Sequence, residues 1–146
     1  MTDDFRHRTR VEVRFRDIDA FGHVNNAVTS TYVEQARVRY LHDVLAVDPV
    51  GLMPLILATI TVDYVSPILF RDSVEIGSRV DWIGASSIAM SHGLWADDGR
   101  ELARASSVLV TYDYDQARPM PVPNDWRAAL ATHEGHSLER PADAAV

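Results

Sequence analysis

Apolar and polar residues alternate through "VEVRFR" (residues 11–16), with Val11, Val13 and Phe15 opposed to Glu12, Arg14 and Arg16. A period of two with one apolar face predicts a half-buried strand. The period then lengthens. Val28, Tyr32, Ala36, Tyr40 and Val44 recur every four residues with Val33 and Leu41 beside them, which predicts a helix of about five turns. Asn25 or Asn26 suits its N-cap, and Pro49 and Gly51 bound its far end. From there the chain reads as strands. "ILATITVDYV" is rich in β-branched residues and stops near Pro67, and "VEIGSRVDW" sets Val74, Ile76, Val80 and Trp82 against Glu75, Arg79 and Asp81. "IAMSHGLW" follows the Gly84-Ala85 turn, and Asp98-Gly99 marks a hairpin into "ELARASSVLVTYDYD". "PMPVP" at residues 119–123 breaks regular structure, and a short amphipathic segment is expected over residues 125–131.

The order is therefore one strand, one long helix and four consecutive antiparallel strands. A sheet of about five strands has an apolar face to cover, and the long helix is its cover, which makes an α+β architecture. No internal repeat divides the chain, so residues 1–131 form one domain. Residues 132–146 have little to bury and are expected to be a weakly structured tail.

Composition narrows the chemistry. At 146 residues, 47% hydrophobic and 24% charged, the chain has the balance of a soluble domain with a real core. It has no cysteine, which excludes disulfides, thiolate metal sites and a cysteine nucleophile. All 14 basic residues are arginine, which excludes a lysine Schiff base or lysine general base. The net charge of −7 disfavours nucleic acid as a partner, although Arg6, Arg8, Arg10, Arg14 and Arg16 crowd the first sixteen residues. The polar N-terminus has no signal-peptide pattern, and no apolar run reaches the roughly 20 residues that span a bilayer. A soluble, cytoplasmic protein without membrane insertion is expected.

Between the first strand and the helix lies a dense polar stretch: Asp17, Asp19, Gly22, His23, Asn25 and Asn26. Turn chemistry, a metal site and an active centre are the three readings. Asp17, Asp19 and His23 are conceivable metal ligands, and "HEGH" at 133–136 has a His-x-x-His spacing, but not the His-Glu-x-x-His register of a zinc hydrolase helix. Neither pattern is strong, and no metal or other cofactor is expected. Gly-rich phosphate loops, a nucleophile-elbow serine and a dinucleotide fingerprint are all missing from the sequence.

"DIDAFGHVNN" followed by "YVEQAR" resembles the signature of hotdog-fold acyl-CoA thioesterases of the 4-hydroxybenzoyl-CoA thioesterase-like superfamily. "DYVSPILFRDSVEIGSRV" is similar to that family's aspartate-containing turn into the third strand, and "RPMPVP" to its ending. The likeness covers about residues 9–125. It implies an antiparallel sheet wrapped round one long central helix. It also implies a homodimer or homotetramer with active sites at the subunit interface, and hydrolysis of a thioester of coenzyme A or acyl carrier protein. The family's catalytic carboxylate falls on Asp19. Two positions depart from the pattern. Thr29 stands where members often carry tyrosine, and Phe21 where plant acyl-carrier thioesterases carry asparagine.

Thioester hydrolysis needs an attacking group, an oxyanion stabiliser and an acyl pocket. Asp19 can attack directly or deprotonate a water, and its bland alternative is to shape the turn before Gly22. Backbone N–H groups around Asn25, Asn26 and Ala27, at the positive end of the helix dipole, can form the oxyanion hole. His23 can orient Asp19, protonate the leaving thiolate or bond the turn's backbone, and Asn25 braces the loop. Glu34 faces either the pocket or Arg37, and the helix face and strand 56–65 line the acyl pocket or simply form core. Arg71, Arg79, Arg100, Arg104 and the N-terminal arginines are candidates for the coenzyme's phosphates, with Ser86 and Ser87 weaker ones. The rivals are a hotdog dehydratase or hydratase, disfavoured because residues 1–48 contain no proline, and a non-enzymatic acyl-CoA-binding protein, which has no need of Asp19.

Overall fold

The structure, a computed structural model, describes residues 4–48, 51 and 53–144. Strand β1 (His7–Glu12) leads through a single 3-10 turn (Phe15–Asp17) and a loop into helix α1 (Asn26–Leu45). Strands β2 (Leu55–Tyr64), β3 (Ser73–Ile83), β4 (Ser87–Ala96) and β5 (Glu101–Asp113) follow, then the two-residue β6 (Arg118–Pro119) and helix α2 (Asn124–Glu134). All pairings of these strands are antiparallel, in the spatial order β1-β3-β4-β5-β2, with β6 added to the end of β5. The sheet therefore has the expected strands, and two helices where one was expected.

Period-two alternation sets the sheet's inner face. Val74, Ile76 and Val80 on β3, Ile88, Met90 and Leu94 on β4, and Ala103, Ala105 and Leu109 on β5 are all buried. They pack against Tyr32, Val33, Ala36, Tyr40 and Leu41 of α1, the predicted stripe, in two apolar clusters, one toward each end of the helix. Tyr40 and Leu41 are essentially without solvent contact. Ala46, in the left-handed conformation, ends α1 with its N–H on the His42 carbonyl, and the expected stop at Pro49 lies outside the described residues.

Two boundaries differ from the sequence pattern. The first strand stops at Glu12, and Phe15 is 81% exposed instead of continuing the face of Val11 and Val13. The cause is local: the Asp17 carboxylate draws in the Arg14 N–H at 3.0 Å and turns the chain. At the other end α2 runs past residue 131 to Glu134, capped by Gly135. The segment after it is anchored, because Leu138 is buried, its carbonyl accepts the Ile83 N–H, and Glu139 bridges to Ile83. Docking of this segment on the sheet edge is a tertiary effect that composition does not encode. Among the described residues no helix is long and apolar enough to cross a membrane.

Candidate active site

The loop before α1 folds as a small antiparallel ribbon, with Ile18 bridging Val24 and the Asp19 N–H on the His23 carbonyl at 3.1 Å. The Gly22 N–H closes the turn on the Asp19 carbonyl at 3.0 Å, with Gly22 at φ 86°. A Cβ there would meet nothing within 4 Å, so glycine is required by the left-handed backbone and not by crowding. The ribbon is tied to the sheet by the Val24 N–H on the Ile68 carbonyl at 2.8 Å.

Two aspartates two residues apart have opposite surroundings. Asp17 is 2% exposed and fully engaged: it accepts the Tyr32 hydroxyl at 2.6 Å, the Arg14 N–H, and the Arg14 guanidinium at 3.0 Å. Burial alone would raise its carboxyl, but the Tyr32 hydroxyl and Arg14 outweigh burial and hold it below the usual carboxylate range. Burial and the same carboxylate push the Tyr32 hydroxyl well above its ordinary value. Asp17 is thus a structural knot. Asp19 stays half-exposed, with Oδ1 accepting the Phe21 N–H at 2.9 Å and Oδ2 accepting the Asn25 amide at 3.1 Å. Each of those oxygens keeps a second lone pair.

Asn25 extends this chain to the helix. It is the N-cap, and its side-chain oxygen accepts the Ala27 N–H at 2.9 Å, while its own N–H is held by the Asp17 carbonyl at 2.9 Å. Of the three backbone donors expected for an oxyanion hole, Asn25 and Ala27 are therefore committed to the loop. The Asn26 N–H has no partner among the described residues, and it sits at the positive end of a twenty-residue helix. The Tyr64 hydroxyl, reaching over from the end of β2, donates to the Asn26 carbonyl at 2.9 Å and fixes the first turn.

A cavity of about 210 Å³ opens at this point, lined chiefly by His23, Asn26, Thr29, Tyr64, Ile68 and Leu102. It is below the 300–1,000 Å³ of typical ligand pockets, a size for the reacting end of a substrate. Its back wall is braced by Arg100, which donates to the Pro67 carbonyl and to the buried Asp72, both at 2.8 Å, while Asp72 also accepts the Leu69 N–H at 2.7 Å. His23 is half-buried in the wall, stacked on Phe21, with Nδ1 3.3 Å from the Val24 carbonyl. Only an N–H can bond a carbonyl, so this contact leaves Nε2 as an acceptor.

The other sequence candidates separate. Asp19 and Asn25 do not line the cavity; they adjoin residues that do, Asp19 through its N–H on the His23 carbonyl and Asn25 as the neighbour of Val24 and Asn26. Glu34 is exposed on α1 and lies 3.8 Å from Arg37, the pairing alternative of its two readings. Arg71 borders an adjoining open groove with Phe70, Arg10 and Glu12. Ser87 begins β4, seven residues or about 23 Å along the strand from Leu94, whose partner Ala103 lines the cavity. Several arginines offered for phosphate are bound to carboxylates: Arg8 and Arg10 to Glu75, Arg79 to Asp81, Arg104 to Glu101. Among the described residues no three His, Asp or Glu side chains are grouped to hold a metal. Tyr64 lies in the strand 56–65 that was offered as pocket lining or core, whereas Ile68, Leu102 and Ala103 are cavity residues that pattern alone did not assign.

The chain is similar in fold and sequence to a thioesterase of Thermus thermophilus solved in complex with coenzyme A and zinc, at 40% identity and a TM-score of 0.82 over 95% of this chain and 98% of that one. The PA5185 protein of Pseudomonas aeruginosa aligns at 28% identity and a TM-score of 0.81, over 95% of this chain and 97% of that one. The chloroplastic acyl-acyl carrier protein thioesterase ATL3 of Arabidopsis thaliana is 26% identical over 126 residues, which is 84% of this chain and 66% of that protein. The chain thus spans just under two thirds of the length of that relative. The thioesterase-like superfamily matches residues 13–130, from the end of β1 to α2, and the chain belongs to that family.

Proposed function

We propose that this protein hydrolyses acyl-CoA or aryl-CoA thioesters to the free acid and coenzyme A. The observation that carries the reading is the Asn26 N–H at the start of α1, without a partner among the described residues, on a residue that lines a largely apolar cavity, with the half-exposed Asp19 carboxylate held in the same loop by Asn25. The thioester carbonyl oxygen sits on that N–H, which stabilises the oxyanion as it forms. Asp19 takes the proton of an attacking water, or attacks the carbonyl carbon itself to give a mixed anhydride that water then opens. In either route the C–S bond breaks and the coenzyme leaves as thiolate. His23, with Nε2 free, is placed to deliver a proton to it once protonated. Asn25 is a positioning residue that couples Asp19 to the helix cap, and no cofactor is needed.

In this reading the sheet wraps round α1 in the hotdog manner, and two or four copies assemble with sites at their interface. β2 supports that arrangement. It is a ten-residue edge strand with Ile56 and Leu57 exposed, the kind of edge that pairs with another chain. The absence of cysteine accords with a cytoplasmic enzyme.

The test is thiol release followed with Ellman's reagent over a panel of acyl- and aryl-CoA esters. With no cysteine in the protein, all colour reports released coenzyme. Asp19→Asn is expected to lower kcat by about 10²–10⁴-fold at unchanged melting temperature. Full turnover in that variant would remove Asp19 from the chemistry, and no turnover on any ester would remove the activity.

A further inference from the structure

The two apolar clusters under α1 are separated by a polar belt. Arg37 projects from the helix between Ala36 of one cluster and Tyr40 and Leu41 of the other, and on the sheet Ser78, His92 and Ser107 interrupt the apolar inner face. All four are buried, Arg37 at 5% and His92 and Ser107 at 2% exposure. Three of their polar atoms, Arg37 Nη1, His92 Nε2 and Ser107 Oγ, have no hydrogen-bond partner among the described residues. The nearest counter-charge to Arg37 is Glu34, 3.8 Å from Nη2 and largely in solvent, too far for a hydrogen bond. A buried guanidinium ordinarily has a close anionic partner.

The belt lies in line with the cavity. Asn26, Ser30, Val33 and Arg37 follow the i, i+4, i+7, i+11 spacing of a single helix face. Arg37 is about 16 Å along the axis from Asn26, and a helical side chain leans back toward the N-terminus, here toward the cavity. Opposite this face, β2 turns Ile60, Val62 and Tyr64 inward across from Ser107, Ala105 and Ala103. These β2 residues are only partly covered, so the inner side of β2 is an open apolar shelf from Tyr64, which lines the cavity, to Ile60, the partner of Ser107. Arg37 has donors only. The Ser107 hydroxyl can donate, and His92 adds a third donor, Nε2–H, in the tautomer whose Nδ1 accepts the Ser78 hydroxyl 2.9 Å away.

Building on the thioesterase reading, we propose that this belt receives a carboxylate at the far end of the acyl group. The preferred substrates are then coenzyme A monothioesters of medium-length dicarboxylic acids, not their plain alkyl counterparts. The convergence of three buried donors without an acceptor, in line with the cavity, selects an oxygen anion. The partly covered apolar wall of β2 takes the methylenes between.

The experiment compares glutaryl-, adipyl- and suberyl-CoA with alkyl-CoA esters of equal carbon number in wild type, Arg37→Met, Arg37→Lys and Ser107→Ala. In parallel, calorimetry measures binding of the corresponding non-hydrolysable thioethers. Wild type should favour the best carboxylated ester by roughly tenfold or more in kcat/KM, since hydrogen bonds to charged groups are the strong class. Arg37→Met should bring that ratio toward one without lowering the melting temperature, because replacing a buried charge by an apolar side chain of similar volume is often neutral or stabilising. Arg37→Lys should keep part of the preference, and Ser107→Ala should reduce it. Equal or better use of alkyl esters by wild type overturns the proposal, as does an equal preference for ω-hydroxyacyl esters. So does an Arg37→Met variant that melts early and loses both substrate classes alike. Hydrolysis without discrimination would sink the belt and leave the thioesterase standing. Arg37-dependent binding of the carboxylated thioether with no hydrolysis of any ester would do the reverse.

Discussion

The two ends of α1 carry similar densities of polar side chains and use them in opposite ways. At the C-terminal end the Tyr40 hydroxyl donates to Glu134 at 2.5 Å, the same carboxylate oxygen accepts the Val80 N–H at 2.9 Å, and His7 pairs with Asp43 at 2.9 Å. Burial and the Glu134 carboxylate push the Tyr40 hydroxyl far above its ordinary value, so it stays a donor. At the N-terminal end the loop satisfies Asn25 and Ala27 but leaves the Asn26 N–H without a partner among the described residues, on a residue that lines a cavity, and Asp19 half-exposed. A polar group closed on its neighbours holds the fold, whereas one left with spare bonding capacity at a cavity can act on a substrate.

The comparison breaks most sharply at Glu134. Glu134→Ala leaves the buried Tyr40 hydroxyl and the Val80 N–H without an acceptor, and should cost about 3 kcal/mol by denaturant unfolding. Turnover per folded molecule should be unchanged, because the network lies at the far end of the helix. A fall in kcat larger than the fall in folded fraction would mean that the two ends are coupled.

The belt between them gives the next effect. Burial, with the positive charge of Arg37 nearby, holds the His92 imidazole down at about 3, against about 6.5 in the unfolded chain. Between those values the unfolded chain binds the proton and the folded one does not, so stability is fully present above about pH 6.5 and falls as pH drops toward 3. One such group contributes a slope of at most about 1.4 kcal/mol per pH unit. Below about pH 4 the depressed Asp17 carboxyl adds a loss of the same sign. Unfolding midpoints measured from pH 7 to 4 should therefore slope in the wild type and flatten in His92→Gln. An unchanged slope would show that His92 is not buried neutral.

These contrasts were unequally legible in the sequence. Period two and period four located β1 to β5 and α1 because each element buries one face, and burial dictates the pattern. The motif placed Asp19, His23, Asn25 and Asn26 in one loop. It did not distinguish Asp17 from Asp19, since what separates them is the reach of Tyr32 and Arg14, a matter of three-dimensional proximity. The backbone donors were read as a group of three, but capping by Asn25 and the carbonyl of Asp17 reduce them to one. Phe15 followed the strand's alternation and still lies outside it, because a side chain–backbone bond to Asp17 ended the strand first. Arg37 was read only as a partner for Glu34; its burial arises in the fold, where its charge acts on His92 of β4, later in the chain.

Tyr64→Phe gives the smallest effect and tests the open end most finely. The substitution keeps the ring that walls the cavity and removes one hydroxyl, whose only bond among the described residues is to the Asn26 carbonyl in the first turn of α1. Tyr64 is half-exposed, so water can replace the lost partner and the stability cost should not exceed about 1 kcal/mol. The catalytic cost should be of the same order, about three- to tenfold in kcat/KM. It should appear more in kcat than in KM, because a looser first turn displaces the Asn26 N–H from the developing oxyanion while the acyl group keeps its contacts. If kcat is unchanged and only KM rises, Tyr64 is merely a wall, and the helix start is held in place by the Asn25 cap alone.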